Sequence, residues 1–266
     1  DIYPPREAPP PSKIIPPILK TNQLSVPCKF NNVSIEVKPG EVLGLFGLVG
    51  SGRSDVMKAL FGMLHPTGEI LLDGKSITLV SPAQAIANGI AFVTENRKEE
   101  GLVLPQSVER NINMVALGQL AGPFGMMRSA AERSSAKAEV LRLAIKTASI
   151  DTAAGALSGG NQQKIVLAKW LQMKPKILIL DEPTRGVDVG AKTEIYSLIK
   201  SLAAEGRAVV VISSEHLELF GLCDRILVMR EGAVTGSLQP AEYSADNLLT
   251  LSMVHTARRA PSALAH

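Results

Sequence analysis

The chain has 266 residues, an apolar share of 45% and a net charge of +3. That length suffices for one large domain or two small ones with a packed core, and so small and unclustered a charge speaks against a nucleic-acid surface. Apolar runs stop short of the ~18 residues a membrane span needs, no N-terminal signal pattern appears, and the two cysteines, Cys28 and Cys223, lack metal-ligand spacing and fit a reducing, cytosolic setting.

Residues 1–20 read as a proline-rich linker. Seven prolines lie between Asp1 and Pro17, and proline lacks the N–H that a ladder requires. Residues 21–252 are expected to form one domain, followed by a disordered tail over 253–266. Val33 to Val37 alternates apolar and polar, and Pro39-Gly40 turns the chain into a strand over Glu41 to Phe46. A glycine-crowded loop leads to a helix over Ser54 to Gly62. Glu69 to Leu72 is a strand ended by Asp73-Gly74, a hairpin signal. Ser81-Pro82 caps a short helix over Ala83 to Asn88. Ile90 to Val93 is a strand, and a charged loop, ENRKEEG, runs from Glu95 to Gly101.

Residues 105–156 turn helical and are expected to form an inserted helical subdomain, with good helix formers over Ser129 to Ala148. Then comes LSGGNQQKIVLAKWLQMKPKILILDEPTRGVD, Leu157 to Asp188. It reads as a glycine turn, a helix over Asn161 to Met173, a buried strand over Ile177 to Leu180, and an acidic pair. A glycine turn feeding a helix N-terminus is an anion site, because free N–H groups and the helix dipole point the same way. Asp181 and Glu182 end the strand, where open parallel sheets place ligands. Trp170 and the methionines read as core. A helix over Ala191 to Ala204, a strand over Ala208 to Ile212 and a short helix over Leu217 to Leu222 follow. A hairpin about Glu231-Gly232 joins Arg225–Met229 to Ala233–Leu238, and Ala241 to Met253 is a weaker helix. Strands alternating with helices make this an α/β fold.

Gly47 to Ser54, GLVGSGRS, lies between a strand and a helix. It matches the phosphate-loop pattern GxxxxGK[ST] except that Arg53 replaces the lysine. The loop Gly47, Leu48, Val49, Gly50, Ser51, Gly52, Arg53, Ser54 and Asp55 is the expected phosphate cradle, with Ser54 Oγ as a Mg²⁺ ligand. Guanidinium keeps the charge but is wider and planar, so nucleotide binding is expected and correct placement for phosphoryl transfer is not.

These motifs in this order resemble the ABC-type ATPase family. LSGGN matches its signature, LILDEP its Walker B motif and Gly186-Val187-Asp188 its D-loop. The resemblance implies a P-loop ATPase domain with a mainly parallel core sheet, an antiparallel β subdomain and an inserted helical subdomain. It also implies ATP and Mg²⁺ as ligands. Asp181 would hold the ion through water, and Glu182 would polarise the attacking water. Glu95 stands where most members have a glutamine that touches Mg²⁺ and the attacking water, and the resemblance makes it a candidate Mg²⁺ ligand and catalytic residue, though it adds negative charge beside the phosphates. Ser214 stands where they have a histidine on the γ-phosphate, and His216 reads as a surface residue. Phe30 is the nearest aromatic for the adenine.

GLVGSGRS, ENRKEEGL, LSGGNQQK and DEPTRGVDVGAK together look like the second ATPase half of bacterial monosaccharide importers of the ribose, galactose and xylose type. The chain would then be the C-terminal half of a longer polypeptide, peripheral on the cytoplasmic face of the membrane. Its implied partners are the N-terminal ABC half, membrane permease subunits and, indirectly, a periplasmic sugar-binding protein, with no nucleic acid. Ser158, Gly159, Gly160 and Asn161 would complete the nucleotide site of the other half. Hydrolysis by this chain alone is expected to be slow, since Arg53, Glu95 and Ser214 all depart from the family pattern. The alternatives are a non-transport ABC ATPase and a catalytically inactive regulatory nucleotide-binding module.

Overall fold

The computed structural model describes residues 15–120 and 129–253. Most of the expected linker and of the expected tail lies outside these residues. In chain order the strands are β1 (Leu19–Val26), β2 (Phe30–Val33), β3 (Glu36–Val37), β4 (Val42–Gly47), β5 (Thr67–Leu72), β6 (Lys75–Ile77), β7 (Ile90–Val93), β8 (Ile177–Asp181), β9 (Ala208–Ile212), β10 (Arg225–Arg230) and β11 (Ala233–Leu238). The helices are α1 (Arg53–Leu60), α2 (Pro82–Ala87), α3 (Val108–Asn113), α4 (Leu117–Leu120), α5 (Ser129–Arg142), α6 (Gly159–Leu171), α7 (Val189–Ala204), α8 (His216–Leu222) and α9 (Ala245–Met253).

Two sheets form. The larger runs β11-β10-β4-β9-β8-β7 and is parallel except for the β11 edge. Strands β4, β9 and β8 inside the sheet, and β7 at its edge, are buried at every residue, as continuous apolar runs covered on both faces must be. The smaller sheet runs β2-β1-β5-β6, with β3 also on β1, and is antiparallel. The mixed α/β class expected from the alternating elements is what the chain adopts.

β1 starts at Leu19, inside the stretch read as linker, and Leu19 is fully buried. Its pattern is hard to read because Gln23 stands at φ 52 and the pairing with β5 slips between Asn22 and Ser25. That irregularity breaks the two-residue period on which strand recognition depends. Ser81 caps α2 as expected, its hydroxyl accepting from Gln84 N at 3.4 Å. The charged loop is not wholly irregular: Arg97–Gly101 forms a single π-helical turn.

Register brings three strand ends together. Ile212 of β9 pairs with Leu45 of β4 on one side and with Asp181 of β8 on the other. The loops after β4, β9 and β8 therefore leave the sheet side by side at its C-terminal edge. This is where open α/β sheets bind ligands.

Candidate functional site

The loop after β4 turns through Gly50 and Gly52 at φ 82 and 91, a left-handed backbone that glycine adopts without Cβ strain. No atom lies within 4 Å of a Cβ built on Gly50, so this bend faces open space. Gly52 is the N-cap of α1, and Arg53 and Ser54 are its first residues. Val49 at the loop tip is 96% exposed. With Leu48, Gly50, Ser51, Arg230 and Met253 it borders a hollow of about 270 Å³.

Arg53 goes the other way. It is only 8% exposed, and its Nη1 donates to Ser213 O at 3.0 Å. Burial depresses its pKa, opposed by the charges of Glu182 and then Asp181. The guanidinium therefore lies beneath the loop, facing the acidic pair. Asp181 is 3% exposed, with the Ser54 hydroxyl near its carboxyl. Burial raises its carboxyl above the usual range, and the nearby Ser54 hydroxyl works against that rise. A hydroxyl and a carboxylate are hard oxygen donors of the kind Mg²⁺ prefers. Among the described residues no three His, Cys, Asp or Glu side chains cluster as a protein-only metal site. An ion here would thus draw its other ligands from phosphate and water.

Glu182 stands at φ 49, costly for a non-glycine residue. Two backbone contacts hold it: its N–H donates to Ile212 O at 2.9 Å, and its Oε1 accepts from Ser214 N at 2.8 Å. Ser214 thus meets the acidic pair through its amide, while its side chain is exposed. Glu95 is exposed and forms an ion pair with Arg185. The structure brings Arg53, Ser54, Asp181, Glu182 and the Ser214 amide together, while the Glu95 carboxylate is engaged by Arg185. His216 is half-buried with its ring edge-on to Phe220 at 5.6 Å. Phe30 corrects its expectation: at 3% exposure it is a core residue of β2 and presents no open face to a base.

The second turn, Ser158 to Asn161, lies elsewhere. Ser158 is the N-cap of α6, and its Oγ accepts from Asn161 Nδ2 at 2.9 Å. Asn161 Oδ1 in turn accepts from Lys146 N at 2.7 Å. Ser158, Gly160 and Asn161 border a separate hollow of about 190 Å³ with Lys146, Lys164 and Asp188. This hollow and the one at the loop tip share no residue. Each glycine turn therefore presents its own surface.

A family model described as ABC transporter matches residues 30–185. The chain belongs to the ABC transporter family. Among its relatives, the ribose import ATP-binding protein RbsA 3 of Rhizobium meliloti (strain 1021) is 48% identical over 243 residues, which is 91% of this chain and 48% of that one. A putative ribose/galactose/methyl galactoside import ATP-binding protein 1 of the same organism is 45% identical over 242 residues, again 91% of this chain and 48% of that one. The chain spans about half the length of the curated relatives it matches. Among solved structures, a nucleotide-free ATP-binding cassette from an ABC transporter superposes with a TM-score of 0.74 at 22% identity, covering 88% of this chain and 94% of that one. That likeness establishes the cassette fold.

Within this ABC fold, four residues near the motifs escaped the sequence. Thr184 Oγ1 donates to buried Glu218 Oε1 at 2.8 Å, just behind Glu182. Lys169 reaches Gly101 O, and Arg97 reaches the carbonyls of Arg185 and Gly186. None carries a local pattern. Lys169 reads as the polar side of a helix, and Arg97 as one charge in a solvated run.

Proposed function

We propose that this chain is an ATP-binding and ATP-hydrolysing unit that energises import of a monosaccharide through a membrane permease. The arrangement of Arg53, Ser54 and Asp181 carries this reading. A cation and a hydroxyl at the start of α1 face a buried carboxylate across a glycine loop whose N–H groups are suited to phosphate. The names of the relatives support ribose or a similar sugar as cargo.

The loop from Gly47 to Ser54 binds the phosphates through backbone N–H groups. Arg53 supplies positive charge beneath them. Bound Mg²⁺ supplies charge neutralisation on the phosphate oxygens, with Ser54 and Asp181 as the residues that hold it. Glu182, oriented by the Ser214 amide, takes the proton of the attacking water. Glu95 and the rest of the charged loop face the permease, and the residues over 105–156 form the helical part that meets it. Ser158, Gly159, Gly160 and Asn161 complete the nucleotide site of a second ABC unit, the N-terminal half of the same polypeptide. The two separate hollows support this division, because one chain then serves two nucleotides. Closure on ATP and reopening after hydrolysis drive the permease. The assembly sits on the cytoplasmic face of the membrane, and a periplasmic binding protein delivers the sugar. Among the described residues no helix is long and apolar enough to cross a membrane.

The bond from Arg53 to Ser213 O favours weak turnover at this chain's own site. A guanidinium anchored there is not free to follow the γ-phosphate. The test measures labelled ATP binding and hydrolysis by the chain alone, then with the second ABC unit and permease. Binding alone with slow turnover, and faster turnover in the assembly, is the expected result. Failure of Mg-ATP to bind would overturn the reading. Binding with no hydrolysis in any assembly would make the chain a regulatory module instead.

A further inference from the structure

Arg97 has no place in the chemistry above, yet its guanidinium is tightly engaged. It opens the π-helical turn Arg97–Gly101. Its Nη1 donates to Arg185 O at 2.5 Å and its Nη2 to Gly186 O at 2.9 Å. Gly186 stands at φ 65, so the chain bends sharply where it is gripped. The same Nη2 lies only 2.8 Å from where a Cβ on Gly159 would be, and Gly186 O lies 2.7 Å from that point. Gly159 is therefore packed directly on the arginine and on the carbonyl it holds. The other end of the turn is tied to the same helix: Lys169 Nζ donates to Gly101 O at 2.5 Å, and a Cβ on Gly101 would meet Val166 at 3.1 Å.

We infer that Arg97 is a positioning residue that locks three segments into one moving unit: the charged loop over 95–101, the Arg185–Gly186 backbone and the Gly159 turn. A planar guanidinium spans two successive carbonyls with one rigid fork, which a lysine ammonium cannot do. Lys98, Glu99 and Glu100 on the outside of the turn are exposed. Force applied there reaches Gly186 through Arg97 and α6 through Gly101. The loop therefore acts on the Gly159 turn and on the approach to Asp188. Under the proposed function, which names the objects at each end, a permease contact on this loop is felt at the second unit's nucleotide. The mechanical linkage itself does not depend on that assignment.

Hydrogen exchange in the chain carrying Arg97→Gln or Arg97→Lys tests the linkage. The Gln162 N–H donates to Ser158 O at 2.9 Å and the Val187 N–H to Thr184 O at 3.2 Å, so both segments carry bonded amides. Arg97→Gln is expected to speed exchange over 157–165 and 184–189 together by about tenfold, the equilibrium equivalent of one charged hydrogen bond. Exchange over 42–60 should not change, and Arg97→Lys should recover at most one of the two segments. No change, change confined to 184–189, or equal loss of protection over 42–60 would each overturn the inference. In the transporter assembly, Arg97→Gln should lose most of the permease stimulation of hydrolysis while KM for ATP stays within about twofold, because only coupling is touched. A rise in KM with stimulation intact would overturn it as well. A wild-type assembly that no permease stimulates would sink the proposed function, and exchange would still decide the role of Arg97.

Discussion

The Ser214 N–H donates to Glu182 Oε1 across 2.8 Å, and Glu182 answers from a left-handed backbone at φ 49. The backbone leaving β9 thus orients the carboxylate at the end of β8. Side-chain identity at 214 matters little to this bond, because the backbone amide makes it.

Glu182→Gln should therefore cut ATP hydrolysis by roughly 10²–10⁴-fold, the usual worth of a general base. Nucleotide affinity should hold within a few-fold. Ser214→Ala should leave hydrolysis and affinity within about threefold, since the amide stays and only a single exposed hydroxyl is lost. Single-turnover hydrolysis at this chain's own site, with the other site silenced, checks the pair. A large loss in Ser214→Ala would mean that its hydroxyl touches the nucleotide.

Arg53→Lys should release the cation from Ser213 O and let a compact ammonium sit under the phosphates. Single-turnover hydrolysis at this chain's own site, with the other site silenced, should rise by about tenfold or more if misplacement is the defect. An unchanged rate would clear Arg53 and move the blame to the other departures from the motif.

Lys169 gives a pH signature. It is 5% exposed, and burial lowers its pKa from 10.5 to about 8. Between those values the unfolded chain binds the extra proton and the folded chain does not. Stability contributed by this site therefore rises with pH from about 8 towards about 10.5, by on the order of 3 kcal/mol. Below about pH 8 both states are protonated and the burial cost is fully present. Chemical denaturation of wild type and Lys169→Met across pH 7–10.5 should show that slope in the wild type and a flatter one in the variant. Parallel curves would mean that the amine stays charged against Gly101 O.

Two glycines should respond differently to alanine. A Cβ on Gly160 would stand 2.4 Å from Ala191 Cβ, so Gly160→Ala must push α6 and α7 apart, at a cost of about 1–3 kcal/mol. Gly50 faces open space, and Gly50→Ala pays only for its positive φ, roughly 1 kcal/mol. Thermal unfolding should rank Gly160→Ala as the more damaging. The reverse order would mean that the α6–α7 contact yields.

Much of the fold was legible because its signals are local. Apolar runs for β4, β8 and β9, the Ser81-Pro82 cap and the turn at Glu231-Gly232 each lie within a few residues, and the structure has them where the patterns put them. The motif residues were legible for the same reason: a glycine loop or an acidic pair needs no distant neighbour to be seen. β1 was not, since its bulge at Gln23 and the buried Thr21, whose hydroxyl accepts from Ile35 N at 2.8 Å, hide its alternation.

From the order of residues alone came the class of fold, the glycine loop with its arginine and the acidic pair at the end of β8. Only the folded chain decided what each charged group touches: Arg53 turned to Ser213, Glu182 held by an amide, Glu95 taken up by Arg185, and Arg97 gripping two carbonyls beside Gly159. The reason is physical. Periodicity and turn chemistry act over a few residues, whereas a buried charge takes whatever partner the packing of distant strands brings within reach.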